Sequence, residues 1–260
     1  SGSGKTYFIK HLLTELRQKS NFTTNFIIFD YKDGDIAKDE DFIRASQAKV
    51  IDLKKESLPL NLFAGVSSSD EKSQKARAEK IVNIVRNVEA SIGKVQEQNL
   101  YQAIINAYDA NKPYPDFGSV RTEIENINTK PDSLTSVFRP LVEQEYFADK
   151  DSLVWHDWVN RTVIVDVHQI ELKELVCFFI LSQIHDELKK LGPSPASSSG
   201  ARLLRTVIVI DEAHYFLASK KRAKVLENMI RDVRSSGGSI VLASQSPDDY
   251  DKSDFNFLEL

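Results

Sequence analysis

Apolar positions along the 260-residue chain switch between two periods. Short unbroken apolar runs alternate with longer stretches where apolar residues recur three and four positions apart. FIIFD at 26–30 is a buried strand ending on a carboxylate, and TVIVDV at 162–167, TVIVID at 206–211 and SIVLAS at 239–244 are strands of the same kind. Between them the helical period takes over. YFIKHLLTELRQKS puts Phe8, Ile9, Leu12, Leu13 and Leu16 at helical spacing, with Arg17 and Lys19 near the end where cations complement the helix dipole.

From 71 to 145 the pattern is helical, with Ile81, Val85, Val88 and Ile92 in one segment and Leu100, Ile104 and Tyr108 in another. PYPDFG interrupts this block, and Asp132 caps a further helix carrying Leu134, Val137, Phe138 and Leu141. A later helix bears Leu172, Val176, Phe179, Ile180 and Ile184 and is apolar around much of its circumference, so it should be buried. A charged helix follows from about 215 to 235. Continuous apolar strands alternating with helices predict an α/β fold, a mainly parallel sheet covered on both faces. In this reading 1–260 is one domain, 71–145 a helical insertion within it, and GPSPASSSG at 192–200 a mobile linker. No internal repeat is present.

The first residues, SGSGKT, carry the second half of a phosphate-binding loop, G-x-x-x-x-G-K-[ST]. Counting back from Gly4, the first glycine falls before residue 1. The strand that precedes such a loop is therefore expected to be missing from this chain, and its place is expected in mid-sheet beside the strand at 206–211. Without it, this piece alone is expected to hydrolyse ATP poorly.

Chemistry on a nucleoside triphosphate needs a phosphate cradle, a magnesium ligand, a positioned water and a sensor of the γ-phosphate. The cradle is Gly2, Ser3, Gly4, Lys5 and Thr6, running straight into a helix N-terminus, with Lys5 for the β/γ-phosphates and the Thr6 hydroxyl for Mg2+. TVIVIDEAH is a Walker B pattern. Asp211 is the candidate for the magnesium shell and Glu212 for orienting and deprotonating the attacking water. Asp30 and Asp166 also end strands, but Tyr31 and Val167 follow them, so they can line a ligand crevice without catalysing. Gln245, just past the strand at 239–244, is the candidate γ-phosphate sensor. Arg231 and Arg234 suit either a charge-neutralising role toward a neighbouring subunit or a solvated helix end, and ASKKRAK at 218–224 reads as a solvated face.

Composition narrows the setting. The chain has 34 basic against 38 acidic residues, a net charge of −4, which does not describe a nucleic-acid coat, so any DNA contact must be local. One cysteine, Cys177, excludes an internal disulfide and fits a reducing compartment, hence a cytoplasmic location. The longest apolar run, LVCFFIL at 175–181, is too short to span a bilayer, and no membrane association is expected.

GKT, IDEAH and ASQSP in this order resemble the HerA/FtsK superfamily of RecA-like (ASCE) P-loop ATPases, which are ring-forming DNA motors. FIIFDYKDGD, LPLNLF at 58–63 and RTVIVDVHQI are similar to further segments of that family, so the resemblance covers nearly the whole chain. It implies ATP and Mg2+ as cofactors and hydrolysis through Lys5, Thr6, Asp211, Glu212 and Gln245, with Arg234 matching the family's arginine before the glutamine strand. It also implies double-stranded DNA as partner and self-association into a ring, expected to be a hexamer. More narrowly, TYFIKHLLTEL with FIIFDYKDGDI resembles the ATPase component of bacterial DNA phosphorothioation-dependent restriction systems, implying other restriction subunits as partners.

Two other readings stay open. DEAH at 211–214 also spells the box of a helicase superfamily, although 206 positions separate Lys5 from Asp211 and the next strand ends ASQSP. The other is a nucleotide-gated scaffold with little turnover, which would have no need of Glu212.

Overall fold

A computed structural model describes residues 4–66, 70–110, 113–128, 130–149, 155, 157–196, 198 and 200–250. Gly2 and Ser3 of the cradle, Ser197 and Ser199 of the linker and the final FNFLEL lie outside the described residues. The chain divides into two compact units, one of residues 1–54, 156–173 and 181–260, the other of 55–155 and 174–180.

The first unit is built on a five-stranded sheet in the order β2-β3-β1-β4-β5. Its strands are β1 (Asn25–Asp30), β2 (Lys49–Asp52), β3 (Val163–Asp166), β4 (Thr206–Ile210) and β5 (Gly238–Leu242), and all pair in parallel. β3 and β4 are buried along their whole length and β1 from Phe26 onward, which is why their apolar runs are unbroken rather than alternating. Register places Ile28 beside Ile164 and Asp30 beside Asp166, so the strand-end acids of β1 and β3 are neighbours.

β4 is hydrogen-bonded to β1 on one side and to β5 on the other. This corrects the expectation that a strand preceding Ser1 belongs beside β4: both flanks are taken, and among the described residues the sheet's edges are β2 and β5. β2 itself was not expected, because only two apolar residues, Val50 and Ile51, mark it.

Helix α1 (Lys5–Lys19) lays Ile9 and Leu13 against Phe26, Ile28, Phe42 and the β4 residues Val207 and Val209. Each such buried side chain contributes about 1.5–3 kcal/mol. Arg17, in the last turn of α1 as expected, is buried, and its guanidinium donates to the carbonyls of Ser46 (3.1 Å), Phe22 (2.7 Å) and Thr24 (3.0 Å). It thereby ties α1 to the end of α2 (Glu40–Ser46) and to the turn leading into β1.

Helices α3 (Glu71–Val88), α4 (Lys94–Ala110), α5 (Phe117–Ile127) and α6 (Ser133–Glu143) lie in the second unit. Asp70, Asp116 and Asp132 cap α3, α5 and α6, accepting from the amides of Ser73, Ser119 and Thr135. The Phe117 ring sits 4.8 to 6.0 Å from those of Phe63, Phe138, Phe147 and Phe179 and centres the core. Asn61 of LPLNLF is buried, donating to Pro115 O at 3.0 Å and accepting from Phe63 N at 2.8 Å.

Helix α7 (Lys173–Leu191) gives residues 174–180 to the second unit, and Leu175 to Ile180 are fully buried, as the all-round apolar pattern requires. Leu172 is its left-handed N-cap rather than a helical residue. The helix expected over 215–235 is two: α8 (His214–Leu217) and α9 (Lys220–Ser235). Ser219 breaks the run, its hydroxyl accepting from Arg222 N at 3.3 Å as the N-cap of α9. Within 192–200, Ser194 is buried and donates its amide to Ser235 O at 3.0 Å. Among the described residues no helix is long and apolar enough to cross a membrane.

Candidate nucleotide-binding site

The N-terminus of α1 is open. Gly4 stands at φ 69° with no side-chain cap, and the first turn holds no acid. The helix's first backbone bond runs from Phe8 N to Gly4 O at 2.8 Å, so the preceding N–H groups point out for an external acceptor. Thr6 lies in that turn. The Lys5 ammonium is buried and has no hydrogen-bond partner among the described residues. An unpaired charge withdrawn from water is costly, and a phosphate at the helix terminus is the partner that offsets it.

The opposing side comes from β4. Asp211 and Glu212 follow its last residue and are 6% and 4% exposed. Burial, and then the Glu212 charge, push the Asp211 carboxyl above its ordinary pKa, while Lys5 and Lys32 pull against that rise. Lys5 therefore lies within electrostatic reach of Asp211, which joins the cradle to the acids. Glu212 holds φ 53°, a left-handed conformation that costs a non-glycine residue about 1 kcal/mol or more. The turn is pinned by Ala213 N to Ala243 O at 2.7 Å and Tyr215 N to Glu212 O at 3.1 Å. The Glu212 carboxylate is held at one oxygen, where Gln245 Nε2 donates to Oε1 at 2.8 Å; Oε2 is buried with no hydrogen-bond partner among the described residues, although His214 Nδ1 lies 3.2 Å away.

Glu212 and Gln245 open into a cavity of about 450 Å³ that is also lined by Lys32, Lys173, His214 and Tyr215. Sequence reasoning assigned none of these last four. Lys32 stands inside the YKDGD segment and His214 directly follows the acids, so both carried a signal of position, whereas Lys173 carried none. The Lys173 ammonium is anchored by the carbonyls of His168 and Tyr31. Tyr215 stacks on Tyr31, ring centroids 5.5 Å apart.

Asp30 and Asp166 face inward as neighbours and act as loop clamps. Asp30 Oδ2 accepts from Ile36 N at 3.0 Å and Ala37 N at 2.8 Å, and Asp166 accepts from the His168 ring and amide. Burial, with Asp166 nearby and against the two amide bonds, pushes the Asp30 carboxyl up to about 6. Gly34 is required in this loop: at φ 67°, a Cβ would sit 3.2 Å from Asp166 Oδ2 and the His168 ring.

Arg231 and Arg234 stand apart from Glu212. Arg231 pairs with Glu227 at 3.1 Å, and both arginines line a separate cavity of about 1130 Å³ with Arg202 and Ile240. In the 218–224 run, Lys224 pairs with Glu227 at 2.9 Å. Among the described residues no cluster of three His, Cys, Asp or Glu side chains is placed to hold a metal. Mg2+ needs no such cluster, since it binds one or two carboxylates, waters and substrate phosphates, and Asp211 with Thr6 fits that donor set.

Residues 196–258 match the family described as AAA-like domain. The fold is similar to that of VirB4. The structure of VirB4 of Thermoanaerobacter pseudethanolicus superimposes with a TM-score of 0.67 at 16% identity, covering 96% of this chain and 69% of that one. A comparison with curated proteins finds no match to this sequence. The AAA-like match spans the second half of the nucleotide site, β4 with its acids through Gln245, and the α/β fold expected from the strand pattern is the one found.

Proposed function

We propose that this chain is the ATP-binding and ATP-hydrolysing motor domain of a HerA/FtsK-like ring ATPase that works on double-stranded DNA. The observation that carries the reading is the buried, unpartnered Lys5 ammonium at an uncapped helix N-terminus, within reach of Asp211. A polyphosphate between α1 and β4 satisfies the helix amides and the ammonium together. Asp211 and Thr6 would hold Mg2+, which when bound would neutralise charge on the phosphates. Glu212 takes the proton of the attacking water, and Gln245 links that carboxylate to the γ-phosphate position. Gly2 and Ser3 remain the proposed partners of Gly4, Lys5 and Thr6 in binding phosphate.

Arg234 serves a neighbouring subunit's site in this reading, since it faces a cavity other than that of Glu212. That role requires a ring, for which six subunits is the proposed number. The segments similar to the phosphorothioation-dependent restriction ATPases make a DptH-type role, in the cytoplasm beside other restriction subunits, the proposed setting.

Steady-state ATP hydrolysis by the full-length protein, with and without double-stranded DNA, tests the motor. Turnover should rise with DNA and disappear in Lys5→Ala. Tight ATP binding with negligible turnover in both conditions would replace the motor with a nucleotide-gated scaffold.

A further inference from the structure

Tyr7 follows Lys5 and Thr6 in the first turn of α1, and none of the roles assigned above uses it. Its side chain is 73% exposed. A single exposed aromatic is ordinary on a protein surface, so its place on the helix is what gives this one meaning. Lys5, Ile9 and Leu13 recur every four positions and form the stripe that faces β4, where Ile9 and Leu13 are buried with Val207 and Val209. Tyr7 stands two positions after Lys5, about 200° around the helix, and so belongs to the opposite stripe. His11 is on that stripe too, its ring within 4° of parallel to that of Tyr7 with centroids 6.3 Å apart. Phe8 and Leu12, also exposed, lie on another flank and line a cavity of about 240 Å³ with Val209 and Val241, in which Tyr7 takes no part.

A triphosphate seated at this helix terminus has a direction. Its γ end belongs beside Glu212 and Gln245, where Glu212 Oε2 is a buried acceptor with no partner among the described residues. The buried Lys5 ammonium, also unpartnered, lies on the same inner stripe. The phosphates then cross the free amides of the first turn, and the nucleoside emerges on the side of α1 away from β4. Helical side chains lean toward the N-terminus, which carries the Tyr7 ring to that exit.

We propose that Tyr7 is the platform for the base of ATP, its open ring face stacking on the purine while the first turn of α1 holds the phosphates. This rests on the reading of that turn as the phosphate cradle. His11 flanks one side of the ring, and the other side is left to the ligand. Every base has a flat π face, so the platform selects a nucleotide over a bare polyphosphate and separates adenine from guanine poorly.

Tyr7→Ala should weaken ATP binding about tenfold to a hundredfold, the scale of one base stacked on one aromatic ring. Tripolyphosphate has the phosphates and no base, so its affinity should stay within about twofold. Tyr7→Phe keeps the ring face and should bind ATP within about threefold of wild type. GTP should follow ATP in each variant.

The experiment is equilibrium binding of ATP, GTP and inorganic tripolyphosphate, each with Mg2+, to full-length wild type, Tyr7→Ala, Tyr7→Phe and Lys5→Ala, with thermal unfolding in parallel. Loss of nucleotide affinity in Tyr7→Ala, retention in Tyr7→Phe and unchanged tripolyphosphate binding in both support the platform. Unchanged ATP affinity in Tyr7→Ala overturns it, as does a phenylalanine variant as weak as the alanine one. So does a Tyr7→Ala protein that loses ATP and tripolyphosphate by the same factor, since the tyrosine would then act on the phosphates or on folding. Lys5→Ala should weaken all three ligands. If it weakens none, or if wild type binds no tripolyphosphate, the cradle reading fails and the platform with it. If Lys5→Ala weakens all three while Tyr7→Ala weakens none, the cradle stands and the platform does not.

Discussion

The side-chain amide of Gln245 donates to Oε1 of Glu212 at 2.8 Å and joins the loops that follow two adjacent parallel strands. The proposed γ-phosphate sensor is thus already bonded to the proposed base. Gln245→Ala should lower kcat by about tenfold to a hundredfold with ATP affinity nearly unchanged, read as a split between kcat and KM. Gln245→Glu should be slower still, because it sets two carboxylates at hydrogen-bonding distance.

Lys5 connects binding to stability with opposite signs. Loss of a charge-assisted contact worth about 1.5–3 kcal/mol should weaken ATP binding about tenfold to a hundredfold in Lys5→Met. The same substitution removes a buried ammonium with no partner and keeps its aliphatic stem. The nucleotide-free protein should therefore melt at a slightly higher temperature than wild type. Nucleotide titration and thermal unfolding of one preparation measure both effects.

The Asp30 carboxyl, pushed up to about 6 by burial, sets a pH dependence of stability. Its folded pKa lies above the unfolded value, so its contribution is fully present below about pH 4 and is lost as pH rises through about 6. The difference is roughly 3 kcal/mol at most. Asp30→Asn keeps an oxygen able to accept from Ile36 N and Ala37 N while removing the titration. Denaturant unfolding between pH 4 and 7 should show a falling component in wild type that is absent from the variant.

Gly237 precedes β5 at φ 79°, and a Cβ there would lie 2.6 Å from the Leu203 carbonyl oxygen. Gly237→Ala combines a strained backbone with a collision against main chain. It should destabilise the protein by about 2 kcal/mol or more, seen as a lowered denaturation midpoint.

Much of this was legible in the chain because buried parallel strands are written as unbroken apolar runs. β1, β3, β4 and β5 fall where those runs are, and Asp211, Glu212 and Gln245 stand just past the ends of two of them. β2 and α2 were not legible: four and seven residues long, they owe their form to β3 and to the Asp39 cap more than to their own pattern. The single helix expected over 215–235 failed at Ser219, where a local side-chain bond outweighs the helical period. Arg17 was legible as a last-turn cation, but nothing local shows the three carbonyls that bury it. Strand order was beyond reach as well, since pairing partners are set by the sheet as a whole. That is why a neighbour of β4 was expected where β5 lies.

The most direct test of the central claim is ATP hydrolysis by Glu212→Gln, with nucleotide affinity measured on the same sample. Glutamine keeps the shape beside Gln245 and His214 but cannot take a proton from water. The result predicted is ATP bound as tightly as by wild type and turnover reduced at least a hundredfold. Wild-type turnover in that variant would contradict the account, because the residue proposed to activate water would then be dispensable.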